Sequence, residues 1–309
     1  MIPCDKCRAP AVIYQKYSGM HLCSAHFDQD LVRKVRETLR RYRIFGKGGL
    51  VAVAVSGGKD SSALLYILKN LFSKRRDIEL VALLVDEGIA GYREETLRAA
   101  REVAERLEVP HRTLSFQESL GITTDQVAAL DTAQAPCTYC GVFRKSILNR
   151  AAREMGALAL ATGHNLDDEV QTAMLNYLRG DVLRLFRLQP RRPLEGMVPR
   201  IKPLRRVPER EVALFAITHG LFPGRSGSCP NVPRAMRLEV KQMINDMEAR
   251  HPGTKYAIMK GFEQIMELRP ESSFQATLCQ RCGEPTGNEI CQSCRLLEQL
   301  SGGKAFKSK

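Results

Sequence analysis

The sequence has no apolar run long enough to cross a bilayer. Stretches such as LVALLV at 80–85 are six residues, whereas a spanning helix needs about 20. The opening MIPCDKCRAP also lacks the charged-then-apolar pattern of a secretion signal. These two absences predict a cytoplasmic protein with no membrane partner, in which disulfides are not the expected fate of cysteine. Acid is in deficit as well: 34 Asp and Glu stand against 47 Lys and Arg, a formal net charge of +13, which points to a polyanionic partner. Two nucleotide-binding fingerprints are missing. There is no G-x-G-x-x-G, and the glycine–lysine cluster in VAVAVSGGKDSS at 51–62 has Val53 where a P-loop needs its first glycine and Asp60 where it needs Ser or Thr.

What that cluster does contain is a short apolar strand, a turn at Gly57 and Gly58, and a helix beginning near Asp60, Ser61 and Ser62. Glycines let an anion approach backbone N–H groups, and a helix N-terminus favours negative charge, so the loop reads as a phosphate cradle. Over the 309 residues, 44% are hydrophobic, enough for one large domain with appendages or for two domains. Downstream, strand-like IELVALLVD, PHRTLSF and ALALATGH alternate with helix-like YREETLRAAREVAERL, CGVFRKSILNRAAREMG and DDEVQTAMLNYLRG. That alternation predicts an α/β fold with a doubly wound parallel sheet, whose ligands bind at the carboxyl ends of the strands. The glycine loop, VDEGIAGY and TGHNLDDE all fall at such ends and should converge.

In TGHNLDDE three acids, Asp167, Asp168 and Glu169, crowd a helix start, where the dipole favours them. Capping accounts for one, expected to be Asp167, and the others suggest Mg²⁺ binding or proton transfer. His164 reads either as a ligand or base, or as a hydrogen-bonded structural histidine. In DLVRKVRETLRRYR, Val32, Val35, Leu39 and Tyr42 form one helical face and Arg33, Arg36, Arg40 and Arg43 another. A second basic stretch runs from Arg179 to Arg210, broken by prolines. Either is readable as a solvated face; with the net charge they favour nucleic acid.

The ten cysteines divide into three groups. Cys4 and Cys7 form a C-x-x-C followed by a C-x-x-H of Cys23 and His26, and Cys279/Cys282 with Cys291/Cys294 form two C-x-x-C pairs. Two tight pairs across a loop are what a tetrahedral Zn²⁺ site requires. Cys137, Cys140 and Cys229 remain, in the loop-like contexts PCTYCG and SGSCPN. Three thiolates suit a [4Fe-4S] cluster with one iron open to an exogenous ligand; a persulfide-carrying pair and inert thiols are the competing readings, and spacing does not choose.

Taken together, SGGKDS, VDEGIAGYR, PCTYCGVFRK, TGHNLDDE, the lone later cysteine and the two terminal zinc patterns resemble the PP-loop tRNA 2-thiouridine synthetases, the TtuA group and its cytosolic and archaeal wobble-uridine relatives. The resemblance runs from Cys4 to Cys294. It implies a Rossmann-like PP-loop ATP pyrophosphatase flanked by zinc modules, with an N-terminal zinc finger at 1–27, a basic linker helix and catalytic domain at 28–270, and a C-terminal zinc finger at 271–309. It implies further that Ala54, Val55 and Ser56 line the nucleotide and that Gly57, Gly58, Lys59 and Ser61 surround the phosphates of ATP. Asp60 then positions ATP and Mg²⁺, Val85 offers backbone hydrogen bonds to adenine, Gly163 lies against the nucleotide, and Asp168 is the second essential acid. Cys137, Cys140 and Cys229 become cluster ligands, which raises the cluster above the persulfide pair. Arg144 stands where some members have lysine; it keeps the charge beside the phosphates but is a poor proton donor.

The activity so implied adenylates the C2 oxygen of a tRNA uridine, the wobble position being favoured over the T-loop, and replaces that oxygen with sulfur. Two Zn²⁺, Mg²⁺, ATP, a [4Fe-4S] cluster, a homodimer, tRNA, and a ubiquitin-like thiocarboxylate as sulfur donor come with the resemblance. Two other functions are weighed against it: a PP-loop tRNA-modifying ligase, for which the three middle cysteines would be idle, and a non-catalytic zinc-ribbon RNA-binding protein.

Overall fold

A computed structural model describes residues 2–46, 48–130, 132, 134–181, 184–185, 196–221, 229–231, 236–267 and 277–300. Its centre is a parallel sheet of five strands, β3 (Gly49–Ala54), β4 (Ile78–Asp86), β5 (His111–Ser115), β6 (Ala159–Ala161) and β7 (Arg200–Ile201), in the order β5-β4-β3-β6-β7. Val53 pairs with Ala82 on one side and Ala161 on the other. The strands read as apolar runs because both faces of the sheet are covered. Val51, Val53, Ala82 and Leu84 point into one core, and Ala52, Val81, Leu83 and Leu160 into the other.

The first core is closed by α1 (Ser24–Tyr42), α2 (Lys59–Phe72), α3 (Arg93–Arg106) and α8 (Glu209–Thr218). The second is closed by α4 (Phe116–Leu120), α5 (Thr124–Ala129), α6 (Pro136–Glu154) and α11 (Gln292–Leu300). A satellite core joins α7 (Leu166–Leu178) to α9 (Met236–Arg250) and α10 (Thr254–Glu267) through Leu166, Val170, Ile244 and Phe262. The chain builds β3, β4 and β5 outward and then returns to lay β6 on the other flank of β3. The reversal opens a crevice at the carboxyl ends of β3 and β6, where α2 and α7 begin.

The N-terminal hairpin, β1 (Ile13–Gln15) and β2 (Met20–Leu22), is continuous with the first core through Cys4, Ile13, Leu22 and Phe27. The expected 27/28 boundary falls inside α1. The C-terminal hairpin, β8 (Thr277–Leu278) and β9 (Pro285–Thr286), leads into α11, and Glu284 accepts from Arg150 and Arg153 of α6 at 3.2 and 2.6 Å.

Two readings of the sequence need correction, and two features were not anticipated by it. PCTYCG is helix rather than loop: Pro136 starts α6 because its fixed φ suits a first helical position that needs no N–H donor, so Cys137 and Cys140 stack on one face of the first turn. The acid capping α7 is Asp168 rather than Asp167, in a capping box with Asn165; Asp167 instead accepts from the backbone N–H of Glu209 and pairs with Lys255. The proline-broken basic stretch supplies the fifth strand, two residues long and so without readable periodicity. In α1, the cationic side chain Lys34 lies inside the protein. Part of that basic stretch, Pro190 and Pro193 included, lies outside the described residues.

Candidate active site and metal centres

The loop after β3 is shaped by two close approaches. Gly57 has φ +86°, and a Cβ there would lie 1.9 Å from the carbonyl oxygen of Thr96. Gly163, after β6, would put a Cβ 2.9 Å from the backbone nitrogen of Ser61. Only glycine fits either position. Gly163 thereby presses against the start of α2, the backbone that a nucleotide in the crevice would also meet. No side chain caps α2, whose N-terminal N–H groups face the crevice beside Gly58. Ser61 Oγ donates to Gly58 O at 3.1 Å and accepts from the backbone N–H of Ser56, bracing the loop from inside.

Lys59 Nζ lies 2.8 Å from Asp60 Oδ2 and 3.2 Å from Glu209 Oε1. Asp60 Oδ1 accepts from Asn165 Nδ2 at 3.1 Å, which ties the starts of α2 and α7 together. Burial pushes both Asp60 and Asp168 up from the usual carboxylate range, and the charge of Asp168 adds to the shift of Asp60. Two crowded oxygen donors of this kind are relieved by a hard divalent cation. His164 Nδ1 shares a hydrogen bond with Thr162 Oγ1 at 2.9 Å. Loss of water in the cleft, then Lys202, lowers the His164 pKa to about 4, so the ring is neutral near pH 7.

At the end of β4, Glu87 is a buried carboxylate shared by two arginines: Arg93 Nε reaches Oε2 and Arg144 Nε reaches Oε1, each at 2.6 Å. Arg93 also donates to Val85 O at 2.7 Å and to Ser56 O at 2.8 Å. Arg144 donates from Nη2 to Cys140 Sγ at 3.1 Å. Burial opposes charge on Arg144, but Glu87 and Cys140 outweigh it and raise its pKa. Cys137 Sγ donates to Asn231 O at 2.6 Å, and Cys229 is close enough to raise the pKa of Cys137 further after burial has done so. The surroundings of Cys137 thus draw on α6, which carries Cys140, and on a distant segment that carries Cys229 and Asn231, the latter 94 residues beyond Cys137.

Among the described residues, two groups bring four metal-ligand atoms within 4.8 Å of one another: Cys4, Cys7, Cys23, His26 and Cys279, Cys282, Cys291, Cys294. Cys7 Sγ and Cys23 Sγ are 3.6 Å apart, as are Cys282 Sγ and Cys291 Sγ. A tetrahedral Zn²⁺ with Zn–S near 2.3 Å separates its sulfurs by about 3.8 Å. His26 turns Nδ1 to Cys4 and Cys23 at 3.5 and 3.4 Å.

Residues 27–222 match the PP-loop domain, and residues 4–28 match the N-terminal LIM domain of the 2-thiouridine synthetase TtuA. The tRNA 2-thiolation protein NcsA of Haloferax volcanii is 39% identical, the match covering 96% of this chain and 98% of that one. The chain belongs to the PP-loop tRNA 2-thiolation family. The cytoplasmic tRNA 2-thiolation protein 1 of Caenorhabditis elegans is 34% identical over 97% of this chain and 82% of its own. A solved structure, the U34-tRNA thiolase NcsA from Methanococcus maripaludis with its [4Fe-4S] cluster, superposes with a TM-score of 0.87 at 35% identity, covering 100% of this chain and 99% of that one.

Within this thiolation fold, Ser56, Gly57, Gly58, Lys59, Asp60, Ser61, Gly163 and Asp168 share the crevice, with Ala54 and Val55 at the strand end beneath them. Val85 lies on β4, and its carbonyl already accepts from Arg93. Arg144 is engaged by Glu87 and Cys140. Glu87, Arg93, Asn165 and Glu209 are site residues that the sequence reading does not reach. The signal for the first two is present, an acid and an arginine inside VDEGIAGYR at a strand end; nothing marks Glu209, which reaches Lys59 from 150 residues away.

Proposed function

We propose that the protein is an ATP-dependent tRNA uridine 2-sulfurtransferase acting on the wobble uridine, with Cys137, Cys140 and Cys229 as ligands of a [4Fe-4S] cluster. The observation that supports this reading is that Cys140, Arg144 and Cys229 are all electrostatic neighbours of Cys137, while the other cysteines belong to the terminal groups. The donor set fits the cluster: three free thiols and no fourth cysteine among the described residues of the site, which leaves one iron for an exogenous ligand. A bound cluster supplies a place to hold sulfur beside the activated base.

The chain's own residues act on the other half of the reaction. A uridine C2 oxygen is a poor leaving group until it attacks the α-phosphorus of ATP and pyrophosphate departs; hydrosulfide then adds at C2 and AMP leaves with the oxygen. Uncapped N–H groups of α2 and the ammonium of Lys59 neutralise the phosphates as charge develops. Asp60 and Asp168 would hold Mg²⁺, which lowers the barrier by polarising the phosphate oxygens. Arg144 stays cationic and supplies charge, not a proton. The terminal groups would each hold Zn²⁺.

Support for tRNA as the polyanion comes from α1. Arg36, Arg40 and Arg43 have no hydrogen-bond or ion-pair partner among the described residues and line a groove of about 420 Å³ with Phe45, Phe72 and Arg75. That arrangement offers cations for phosphate and rings for stacking. A homodimer and a thiocarboxylate sulfur donor are carried by family likeness.

The test is anaerobic purification with iron and sulfide analysis, followed by thiolation of unmodified tRNA with ATP and sulfide and mapping of the product nucleoside. Thiolation of the wobble uridine dependent on bound iron is the expected result. Thiolation of the T-loop uridine would move the site, and iron-free turnover from a persulfide would remove the cluster from the reading.

A further inference from the structure

A continuous set of short contacts runs from the phosphate loop to the sulfur site. Ser56 O accepts from Arg93 Nη1 at 2.8 Å; Arg93 meets one oxygen of Glu87 and Arg144 the other, both at 2.6 Å; and Arg144 donates to Cys140 Sγ at 3.1 Å. Arg93 and Glu87 are each 4% exposed. A carboxylate buried this deeply and held by one guanidinium per oxygen cannot follow one partner without shifting against the other. Replacing such a buried ionic group by apolar side chains is often neutral for stability, so stability alone gives little reason for it.

A second contact arrives at the same sulfur. Glu87 O accepts from the backbone N–H of Thr124 at 2.8 Å, and the buried Thr124 hydroxyl lies beside Cys140. Both routes to Cys140 pass through Glu87.

We infer that Glu87 and Arg93 are positioning residues that couple the conformation of the nucleotide loop to Arg144 and Cys140, so that filling the phosphate cradle fixes the sulfur site. This rests on the sulfurtransferase reading for its purpose, but not for its test. Phosphate contacts at Gly57 and Gly58 immobilise Ser56; Arg93 then holds Glu87, and Glu87 holds Arg144 on the Cys140 sulfur. The coupling is reciprocal, as any coupling of binding free energies must be.

The experiment uses full-length, cluster-free protein and measures alkylation of Cys140 by iodoacetamide, read by peptide mass spectrometry, with and without α,β-methylene ATP. In the wild type the bound analogue slows labelling by about fivefold or more, the lower range of measured couplings. In Glu87→Gln, measured with the analogue at saturation, the ratio falls below about twofold. Arg144→Lys, at a half-exposed side chain, serves as the second variant: an ammonium reaches Glu87 or Cys140 but not both, and the ratio falls likewise. Protection that persists undiminished in both variants is shielding by the nucleotide itself and overturns the inference, as does a wild type that shows none. Coupling in a protein that never assembles iron would uphold the inference and refute the cluster.

Discussion

Glu211→Ala should loosen the N-terminal metal module from the catalytic sheet. Glu211, on α8 and 3% exposed, accepts from Gln15 Nε2 at 3.0 Å and Tyr17 hydroxyl at 2.5 Å through one oxygen, and from Lys34 Nζ at 2.8 Å through the other. Lys34 also meets Asp30 at 2.8 Å and the Tyr17 hydroxyl at 2.6 Å. Truncation therefore takes an acceptor at once from a buried ammonium, a phenol and an amide, of which the ammonium and the amide keep Asp30. Removing one partner of a buried pair costs about 3–5 kcal/mol, and because Lys34 keeps Asp30 the lower half of that range applies. With about 2.1 cal/mol/K per residue, 309 residues give an unfolding entropy of about 0.65 kcal/mol/K, so about 3 kcal/mol lowers Tm by about 5 °C. Burial opposes charge on Lys34, but Glu211 and Asp30 outweigh it and raise its pKa. Burial likewise opposes charge on Asp30, but hydrogen bonds from Gln15, Lys34 and Arg33 overcome it and hold the carboxyl at about 2. A raised lysine contributes fully below its unfolded value of about 10.4 and a depressed carboxylate fully above its unfolded value of about 3.9, so the deficit should be constant between about pH 4 and 10. Calorimetry at about pH 5, 7 and 9 checks this. A Tm within about 1 °C of wild type at neutral pH would refute the reasoning; the paired change Lys34→Met with Glu211→Leu should recover much of the loss.

Gly57→Ala should abolish nucleotide binding with little retained structure in the loop, since its Cβ would sit 1.9 Å from Thr96 O at φ +86°; calorimetric titration with an ATP analogue reads it, and near-wild-type affinity would contradict the geometry. The triple change Arg36→Ala, Arg40→Ala and Arg43→Ala should weaken tRNA binding and reduce the slope of log K against log salt by about 2 to 3, leaving ATP affinity unchanged. His164 has a folded pKa of about 4, below its unfolded value, so it contributes stability above about pH 6.5 that fades as pH falls toward 4. Denaturation curves of His164→Gln should accordingly show less acid destabilisation across that window, and an unchanged pH dependence would count against the shift.

Much of this protein was legible in its sequence because the signals are local. VAVAV followed by SGGKDS announces strand, turn and helix start within one βα unit, and each C-x-x-C or C-x-x-H places two ligands on one turn. Covalent neighbours cannot separate, so spacing alone fixed the zinc-like groups and the phosphate loop. The alternation of apolar strands with amphipathic helices likewise determined a parallel sheet, since only a sheet covered on both faces gives strands so uniformly apolar.

Tertiary structure decided which distant residues share charge. Glu209 meets Lys59 across 150 residues and Glu211 meets Lys34 across 177, both set by how α8 returns to the sheet. Cys229 comes beside Cys137 in the same way, through the return of the segment at 229–231. The duties of neighbouring acids were decided there too. Asp168 caps α7 while Asp167 pairs with Lys255, because a helix start aims successive side chains in different directions. Glu87 shows the division most plainly. The sequence offers an acid at the end of a strand, and only the fold brings one arginine from the next helix and another from α6 to its two oxygens, which is what turns a surface-type residue into a buried bridge between two arginines.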